Sequence, residues 1–438
     1  MKTLECYIQA NAENLPDKIA IVCDDVRVNY SQLWSRILER SQEFEAYSGN
    51  VIILRASQSV DFLVDYFAVH WARKVVVPLE KDIPEESYFR IQKELEGYVV
   101  PENVADILYT TGTTGNQKGT MLSHRAIIAN AENLIDAQRF SSETTFVISG
   151  PLNHIGSLSK VWPTMILGGS IIVTEGVKNM GEFFKALDYS SEKIATFLVP
   201  ASIRMLLQFS EKQLGLYADK IDFIETGAAP MANDDMEKLC KLLPNTRLYN
   251  TYASTETGII CTHNYNSDYC VAGCLGKPMK HSKLFISEQG TIICSGETLM
   301  VGYANDEVLT RKVLHDGCVY TNDKGFMDSE GRLQLLGRDD DIINVGGYKV
   351  NPIEVENVAL SCPDVSDCIC IADKHPVLGV ALRLLVVMHK CKSLDKKQLA
   401  HVLMEKLERY KVPQLYTQVE CIKRTYNGKL DRKYYRGI

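Results

Sequence analysis

The stretch that decides the fold runs from Asp106 to His124 and reads DILYTTGTTGNQKGTMLSH. A short apolar run leads into a segment rich in threonine and glycine that contains Lys118, and then into a predicted helix with Ser123 as its N-cap. Glycines let backbone N–H groups turn toward a bound anion, hydroxyls donate further hydrogen bonds, and Lys118 adds a positive charge. The spacing from Gly115 to Lys118 does not fit the G-x-x-x-x-G-K-[ST] pattern. The stretch predicts a phosphate-binding loop of another type between a strand and a helix; the residues alone leave a flexible turn as the alternative.

Apolar strands and amphipathic helices alternate on both sides of this loop. Helical spacing of apolar residues predicts helices over 30–44 and 60–71. Short apolar runs predict buried strands at 18–23, 50–54, 74–78, 170–174, 195–199 and 221–225. This alternation is typical of α/β layers with mostly parallel sheets. We therefore expect a large α/β N-terminal domain made of layered subdomains.

The composition is that of an ordinary globular protein. Of the 438 residues 45% are apolar, which suffices for two or three packed cores and excludes a disordered chain. The net charge of −7 argues against a nucleic-acid partner. No apolar run reaches the roughly 18 to 20 residues of a membrane span, and residues 1–16 lack the apolar stretch of a secretory signal. These features predict a cytoplasmic enzyme, whose thirteen cysteines we expect to be reduced.

The C-terminal part of the chain differs from the rest in charge. From Arg338 onward there are 17 Lys and Arg against 13 Asp and Glu, whereas the preceding part is acidic. We predict an N-terminal domain over 1–337 and a small, mobile α+β domain over 338–438, with a hinge near 338–342. The alternative for this short polar stretch is an ordinary turn at the end of a strand. Within the small domain, strands are predicted at 368–372 and 382–388 and a helix at 394–409.

Six motifs follow one another in a recognisable order. They are the stretch 106–124, TGAAP at 226–230, YNTYASTE at 249–256, the block 296–305 with YTND at 320–323, the segments 337–341, 346–347 and 352–356, and RTYNGK at 424–429. Together they resemble the motifs of the adenylate-forming superfamily, which includes acyl-CoA synthetases, firefly luciferases and the adenylation domains of peptide synthetases. The resemblance extends over nearly the whole chain. It implies activation of a carboxylic acid by ATP to an acyl-adenylate, with release of pyrophosphate, and transfer of the acyl group to coenzyme A.

The resemblance also implies residues that bind ATP and AMP. Those implied to bind the β- and γ-phosphates are Thr110, Thr111, Gly112, Thr113, Thr114, Gly115 and Lys118. Those implied to bind the rest of the nucleotide are Gly227, Ala228, Ala229, Asn250, Thr251, Tyr252 and Ala253. The first three belong to the turn under the adenine, and Tyr252 is implied to stack on the ring. Asp323, with help from Arg338, is implied to accept both ribose hydroxyl groups.

Five further residues are implied to act in the two chemical steps. Glu256 would hold Mg²⁺, for which an oxygen ligand is suitable, and Thr255 would donate to the α-phosphate. Lys429 would bridge the carboxylate and the α-phosphate, stabilising the transition state. Gly347 would leave room for the pantetheine arm of coenzyme A after the small domain rotates. His154 would lie beside the acyl pocket and control entry of the thiol.

The chain departs from the family pattern at three places. Gln117 replaces the usual proline of the phosphate loop, which should loosen it. Asn322 replaces the glycine before Asp323, and we expect its tolerance of left-handed backbone angles to preserve the turn. Only 109 residues precede Thr110. This length predicts that one strand–helix unit of the first subdomain is missing, as in shorter members that activate aryl acids.

Other functions remain open at this point. The acyl group could be loaded onto a carrier protein instead of coenzyme A, or the chain could be a non-catalytic nucleotide-binding paralogue. The segment 151–156, PLNHIG, has no aspartate that would bind the ammonium group of an amino acid, so an uncharged acyl tail is favoured. A homodimer is possible.

Overall fold

The computed structural model describes residues 2–111, 117–177, 179–189, 194–267, 273–345, 348–375, 379–424 and 430–435. Its helices are α1 (Leu4–Asn14), α2 (Tyr30–Glu45), α3 (Val60–Trp71), α4 (Glu85–Leu95), α5 (His124–Gln138), α6 (Ile155–Leu167), α7 (Met180–Leu187), α8 (Pro200–Phe209), α9 (Glu211–Gly215), α10 (Asn233–Leu242), α11 (Glu307–Val313), α12 (Pro352–Leu360), α13 (Lys396–Lys406) and α14 (Arg432–Tyr435). Short 3₁₀ helices lie at Asp339–Asp341 and Arg409–Lys411.

The strands of the first half are β1 (Ile19–Cys23), β2 (Val26–Asn29), β3 (Val51–Ala56), β4 (Val75–Glu80), β5 (Val104–Thr111), β6 (Gln117–Ser123), β7 (Thr145–Ile148), β8 (Ser170–Val173), β9 (Ile194–Phe197) and β10 (Ile221–Gly227). Those of the second half are β11 (Arg247–Ser254), β12 (Gly258–Asn264), β13 (Cys274–Pro278), β14 (Ser282–Ile286), β15 (Thr291–Gly296), β16 (Gly302–Tyr303), β17 (Leu314–His315), β18 (Cys318–Met327), β19 (Leu333–Arg338), β20 (Ile343–Val345), β21 (Tyr348–Val350), β22 (Val365–His375), β23 (Gly379–Met388) and β24 (Leu415–Gln418). The strands and helices predicted from the apolar pattern are all present.

The largest sheet is mixed. Its strand order is β14-β15-β18-β19-β13-β12-β11-β10-β9-β7-β8-β1-β2, with β17 paired to β18. From β11 to β1 neighbouring strands are parallel, and from β11 to β14 they are antiparallel. The α/β class is confirmed, but among the described strands parallel pairing is limited to this central block, to β3-β4-β5, where helices connect the strands, and to β23-β24.

Helices cover both faces of the parallel block. On one face, Phe146 and Phe223 pack in a core with Trp162 of α6. On the other, Ile172 and Ile224 pack with residues of α7, α8 and α10. Because both faces are buried, these strands have continuous apolar sequences, which made them recognisable.

A second sheet carries the predicted phosphate loop. Its strand order is β16-β6-β5-β4-β3, and β6 pairs antiparallel with β5 along most of its length. The predicted succession of strand, loop and helix is therefore wrong in one respect, because β6 intervenes before α5. Its pairing with β5 supplies hydrogen-bond partners for the backbone N–H and C=O groups of residues that were predicted to lie in the loop. The N-cap prediction is correct, since the Ser123 hydroxyl oxygen accepts a hydrogen bond from the Ala126 N–H at 3.0 Å.

The C-terminal part forms a small α+β unit with its own core. Strands β22, β23 and β24 make a three-stranded sheet, next to the β20-β21 hairpin. Val355 of α12, Leu384 of β23 and Leu403 of α13 are fully buried in its core. The 3₁₀ helix Asp339–Asp341 lies at the predicted hinge, between β19 and β20. The boundary at 337/338 itself stays a prediction.

Candidate active site

The two ends of the phosphate loop are held by the β5–β6 hairpin. Thr110 pairs with Lys118 across the hairpin, and Thr111 closes β5. Gly119 allows the strands to approach, because a Cβ atom there would lie 2.8 Å from Ile107 Cγ2. The predicted phosphate-binding residues Gly112, Thr113, Thr114 and Gly115 lie outside the described residues.

Gln117, which replaces the usual proline, is held by a neighbouring helix. Its side-chain oxygen accepts a hydrogen bond from Arg90 of α4 at 3.0 Å. This contact compensates for part of the stiffness that a proline would supply.

Tyr303 connects the phosphate hairpin with the predicted magnesium ligand. It lies in β16, paired with β6 at Thr120. Its hydroxyl group donates a hydrogen bond to Glu256 Oε1 at 2.9 Å, and its ring centroid lies 5.4 Å from the Lys118 ammonium group. Burial, followed by the negative charge of Glu256, raises the pKa of Tyr303 above its ordinary value, so the phenol keeps its proton. A cation and a carboxylate therefore face one aromatic side chain.

Glu256 and Thr255 project from the tight turn between β11 and β12. The turn is closed by reciprocal hydrogen bonds, in which the Ser254 N–H donates to Thr257 Oγ1 and the Thr257 N–H donates to Ser254 Oγ, both at 3.1 Å. Gly258 follows with a φ of +71°, a conformation that favours glycine. This closed turn fixes the direction of the two side chains assigned to the phosphates and the metal.

The predicted ribose carboxylate lies beside the predicted adenine ring partner. Tyr252 donates its hydroxyl hydrogen to Asp323 Oδ2 at 2.7 Å, while Arg338 Nε lies 3.6 Å from Asp323 Oδ1. Asp323 and Arg338 are register partners in β18 and β19. Burial, and then the charge of Asp323, raises the pKa of Tyr252 well above its ordinary value. The structure thus brings three of the predicted nucleotide-binding residues together.

Asn322 does not occupy a left-handed turn. It lies within β18, and its φ is not positive. The expectation that its tolerance of left-handed angles preserves a turn is therefore wrong, because extended backbone is accessible to any residue.

The predicted adenine turn follows directly on β10. Gly227 pairs with Thr251, and a Cβ atom on Gly227 would lie 2.8 Å from the Thr251 carbonyl oxygen, so only glycine fits. Ala228 has a φ of +67° and Ala229 is half-buried. A left-handed alanine is strained, as is common where backbone shape serves a ligand.

Two residues of the nucleotide block use their side chains in the protein interior. The Asn250 side-chain amide donates to the Tyr265 hydroxyl and to the Cys274 carbonyl, both at 3.3 Å. The hydroxyl groups of Thr251 and Thr262 are 2.9 Å apart. Asn250 and Thr251 thus hold neighbouring strands together, and Ala253 lies next to them at an irregularity in the β11–β12 register.

His154 precedes α6, whose first backbone N–H groups turn toward it. Its carbonyl oxygen accepts hydrogen bonds from the Ser157 and Leu158 N–H groups. One turn further along the same helix, Lys160 forms a fully buried ion pair with Glu225 of β10 at 2.8 Å. The sequence analysis missed this pair, since nothing in the sequence indicated which carboxylate would face Lys160.

The small domain contacts the large one near the adenine turn. Arg204 of α8 lies 3.6 Å from Asp367 of β22, and Asp367 pairs with Arg424 at 2.7 Å. Arg424 and Leu430 pair as an isolated bridge on either side of residues 425–429. Both line a cavity that is also lined by Ala229 and Pro230. Lys429 and Gly347 themselves lie outside the described residues.

Comparison with known proteins identifies the family. Residues 91–304 match the family described as AMP-binding enzyme, and residues 354–429 match the AMP-binding enzyme C-terminal domain. The chain belongs to the AMP-binding enzymes. One relative in this family is the 2-succinylbenzoate–CoA ligase of Bacillus cereus (strain AH820), which is 25% identical over 489 residues covering 100% of this chain and 99% of the relative.

Solved structures of other AMP-binding enzymes share the fold. ATP-bound MatB from Rhodopseudomonas palustris has a TM-score of 0.88 and 22% identity, covering 100% of this chain and 99% of that one. O-succinylbenzoate coenzyme A synthetase (MenE) from Bacillus subtilis, in complex with ATP and magnesium ion, has a TM-score of 0.85 and 21% identity, covering 98% and 99%. None of the helices in the described part of this chain combines the length and hydropathy that a membrane span requires.

Proposed function

We propose that this AMP-binding enzyme is an acid–thiol ligase that converts a carboxylic acid to its acyl-adenylate and then to an acyl-CoA thioester. The observation that carries the proposal is the cluster of Lys118, Tyr303 and Glu256, because a cation from the β5–β6 hairpin and the carboxylate predicted to bind the metal contact the same tyrosine. Tyr252, Asp323 and Arg338 supply a place for the nucleoside. The full-length similarity to a 2-succinylbenzoate–CoA ligase supports the same function.

In the first step a carboxylate oxygen attacks the α-phosphorus of ATP, and the bond from that phosphorus to the bridging oxygen breaks, so pyrophosphate leaves. Both reactants are anions, so the protein must place positive charge and hydrogen-bond donors around the phosphates. Lys118 and the Thr255 hydroxyl group are suited to this task. The Glu256 carboxylate is a hard oxygen ligand that fits Mg²⁺, and the ion when bound would neutralise phosphate charge.

In the second step the thiol sulfur of coenzyme A attacks the acyl carbonyl, and AMP leaves with the electrons of the broken C–O bond. The proposal assigns this step to a second orientation of the small domain, rotated about the hinge near 338–342. In that orientation Gly347 would leave room for the pantetheine arm, and His154 would lie beside the entering thiol.

Lys429 is proposed to bridge the two reacting anions in the first step. The described residues on either side of its segment, Arg424 and Leu430, line a cavity together with Ala229 and Pro230 of the adenine turn. The position of these two flanking residues beside the predicted adenine turn supports the assignment.

Replacement of this lysine tests the function and the assignment together. Lys429→Ala should lower carboxylate-dependent ATP–pyrophosphate exchange about 10²- to 10³-fold, on the scale of a lost electrostatic donor. It should leave thioester formation from supplied acyl-adenylate within about 2-fold. Lys423→Ala, at an exposed lysine nearby, is the matched control and should change neither. If Lys429→Ala slowed both steps equally, the role assigned to Lys429 would be contradicted. If the unaltered protein showed no ATP–pyrophosphate exchange with any carboxylic acid, the proposed function would be contradicted.

The acyl acceptor, the oligomeric state and the location stay predictions. Coenzyme A is proposed as acceptor over a carrier protein, a homodimer is possible, and a cytoplasmic location is expected. Thioester formation with coenzyme A and no added protein would support the acceptor; formation only with a phosphopantetheine-bearing carrier would favour the alternative. A chain that binds ATP but releases neither pyrophosphate nor AMP would be the non-catalytic paralogue.

A further inference from the structure

The buried pair of Lys160 and Glu225 is not used by the adenylation chemistry. Its two charged groups are 2.8 Å apart and each side chain is 1% exposed. Lys160 also donates to Ser159 Oγ at 3.2 Å, and its ammonium group lies 5.3 Å from the centroid of the Phe197 ring. Burial lowers the pKa of Lys160 below its ordinary value, although Glu225 acts in the opposite direction.

The second carboxylate oxygen of Glu225 has no partner among the residues that the structure describes. Glu225 Oε2 is buried without a hydrogen bond to any residue that the structure describes. A buried ion pair is seldom more stable than apolar residues of the same volume, and an unpaired buried acceptor adds a further cost. Stability is therefore a poor explanation for Glu225, and a missing hydrogen-bond donor is a better one.

The pair lies where the acyl group is expected. The ring of Phe197 lies between α6 and the end of β10. A Cβ atom on Gly156 of α6 would lie 3.2 Å from this ring, and a Cβ atom on Gly227 of β10 would lie 3.8 Å from it. Gly156 is one helical turn before Lys160, and Gly227 is two residues after Glu225. Two more buried acceptors without partners in the described chain, Asn153 Oδ1 and Thr226 Oγ1, belong to the same two segments. Small residues, and buried acceptors without a partner among the described residues, thus lie close in sequence to both members of the ion pair, and Phe197 contacts the two segments.

We propose that Lys160 and Glu225 form the polar end of the acyl site and bind a hydroxyl group on the tail of the carboxylic acid, an inference that rests on the proposed function. A hydroxyl group can donate its hydrogen to Glu225 Oε2 and accept one from the Lys160 ammonium group. The pair is electrically neutral overall, so a neutral group enters without leaving an unbalanced charge.

Other tails fit this environment less well. A second carboxylate would bring a negative charge next to Glu225 and supplies no donor. An ammonium group would lie next to Lys160, and an alkyl or phenyl tail would leave Glu225 Oε2 unpaired. The substrate class is therefore that of hydroxy-substituted carboxylic acids.

Pyrophosphate release by the unaltered enzyme tests the class. The panel pairs each hydroxy acid with its parent: benzoate with its three monohydroxy isomers, and straight-chain acids of four to eight carbons with their terminal hydroxy derivatives and the matching dicarboxylates. At least one hydroxy acid should exceed its parent in kcat/KM about 100-fold or more, because a site built for a hydroxyl group strongly rejects the analogue that lacks it. Preference for parent acids or dicarboxylates throughout would overturn the inference while leaving the proposed function intact. No release with any acid would contradict both.

Variants of the pair test the residues. Lys160→Met combined with Glu225→Leu should reduce the hydroxy-to-parent ratio of kcat/KM to within about 3-fold, mainly by loss of activity with the hydroxy acid. Glu225→Gln keeps the shape of the side chain and should reduce the hydroxy-to-parent ratio of kcat/KM about 10-fold. This single variant tests the assignment if the double variant does not fold. Asp222→Asn is the control, because Asp222 lies on the same strand as Glu225, β10, and forms an ion pair with Arg247 of β11 at 2.5 Å. An unchanged ratio in folded Glu225→Gln would overturn the assignment.

Discussion

Arg204 of α8 lies 3.6 Å from Asp367 of β22, and this ion pair joins the N-terminal AMP-binding segment to the C-terminal one. Asp367 also pairs with Arg424 at 2.7 Å, and Arg204 pairs with Asp235 at 2.8 Å. Charges therefore alternate across the contact between the two parts of the chain. Arg424 is the first residue of the RTYNGK motif, so Asp367 links this residue to Arg204 of the large domain.

Loss of this pair should affect the two chemical steps differently. Arg204→Gln should slow ATP–pyrophosphate exchange about 3- to 5-fold, because a half-buried pair of this length contributes about 1 kcal/mol to one orientation of the small domain. Thioester formation from supplied acyl-adenylate should be unchanged or faster. Lys220→Gln is the control, since Lys220 and Asp188 form an equally long pair at 3.6 Å within the large domain. Equal slowing of both steps by Arg204→Gln would show that the pair does not distinguish the orientations.

Tyr303 should set the affinity for the metal. Tyr303→Phe removes the hydrogen bond to Glu256 and lets that carboxylate move, and hydrogen bonds to charged groups contribute about 1.5 to 3 kcal/mol. We expect the Mg²⁺ concentration for half-maximal exchange to rise about 10-fold or more. Tyr217→Phe is the matched control. The Tyr217 hydroxyl group donates a hydrogen bond of the same length, 2.9 Å, to Asp188, and this pair lies outside the candidate site. An unchanged Mg²⁺ dependence would separate Tyr303 from the metal site.

The buried His70 should make stability depend on pH. Its two ring nitrogens lie 2.9 Å from Glu5 and from Asp106, and all three side chains are buried. Burial lowers the pKa of His70, but Glu5 and Asp106 raise it more, so the pKa is about 10 instead of 6.5. The stabilisation from the protonated ring is fully present below pH 6.5 and is lost as the pH rises toward 10, with a slope approaching about 1.4 kcal/mol per pH unit.

Urea unfolding between pH 6.5 and 9.5 measures this dependence. The free energy of unfolding should fall with rising pH in the unaltered protein. His70→Gln should be less stable by about 3 to 5 kcal/mol near pH 6.5, since it leaves two buried carboxylates without their cation, and its pH slope should be smaller. His401→Gln, at an exposed histidine of α13, should behave like the unaltered protein. A flat pH profile for the unaltered chain would show that His70 is neutral.

Gly347 is predicted to act only in the second step. Gly347→Leu should slow thioester formation about 10-fold or more by narrowing the path of the pantetheine arm, while ATP–pyrophosphate exchange stays within about 2-fold. Gly49→Leu is the control, because a Cβ atom at Gly49 would meet no atom closer than the Val51 carbonyl oxygen at 4.0 Å. Normal turnover of coenzyme A in Gly347→Leu would remove this residue from the acceptor path. The prediction rests on the sequence motif, as Gly347 lies outside the described residues.

Local sequence was sufficient for the elements whose apolar pattern is strong. The runs that became β1, β4 and β8 were recognisable because both faces of their sheets are buried, and α2 and α3 show helical spacing. The strands from β11 to β19 were not predicted; in β14 and β18, for example, exposed and half-buried residues outnumber the buried ones. The helix after the phosphate loop begins at the predicted position, but strand β6 just before it was not predicted, since its pairing with β5 is a tertiary contact that the apolar pattern does not show.

The sequence by itself determined the α/β class, the order of the nucleotide motifs and the family, because those features depend on local apolar patterns and on short runs of consecutive residues. Only the tertiary structure decided that Tyr303 contacts Glu256, that Arg204 contacts Asp367, and that Lys160 is paired with Glu225. Each of these contacts joins residues that are 47 to 163 positions apart. Such partners are chosen by strand order and helix packing, which put one particular carboxylate within reach of each donor.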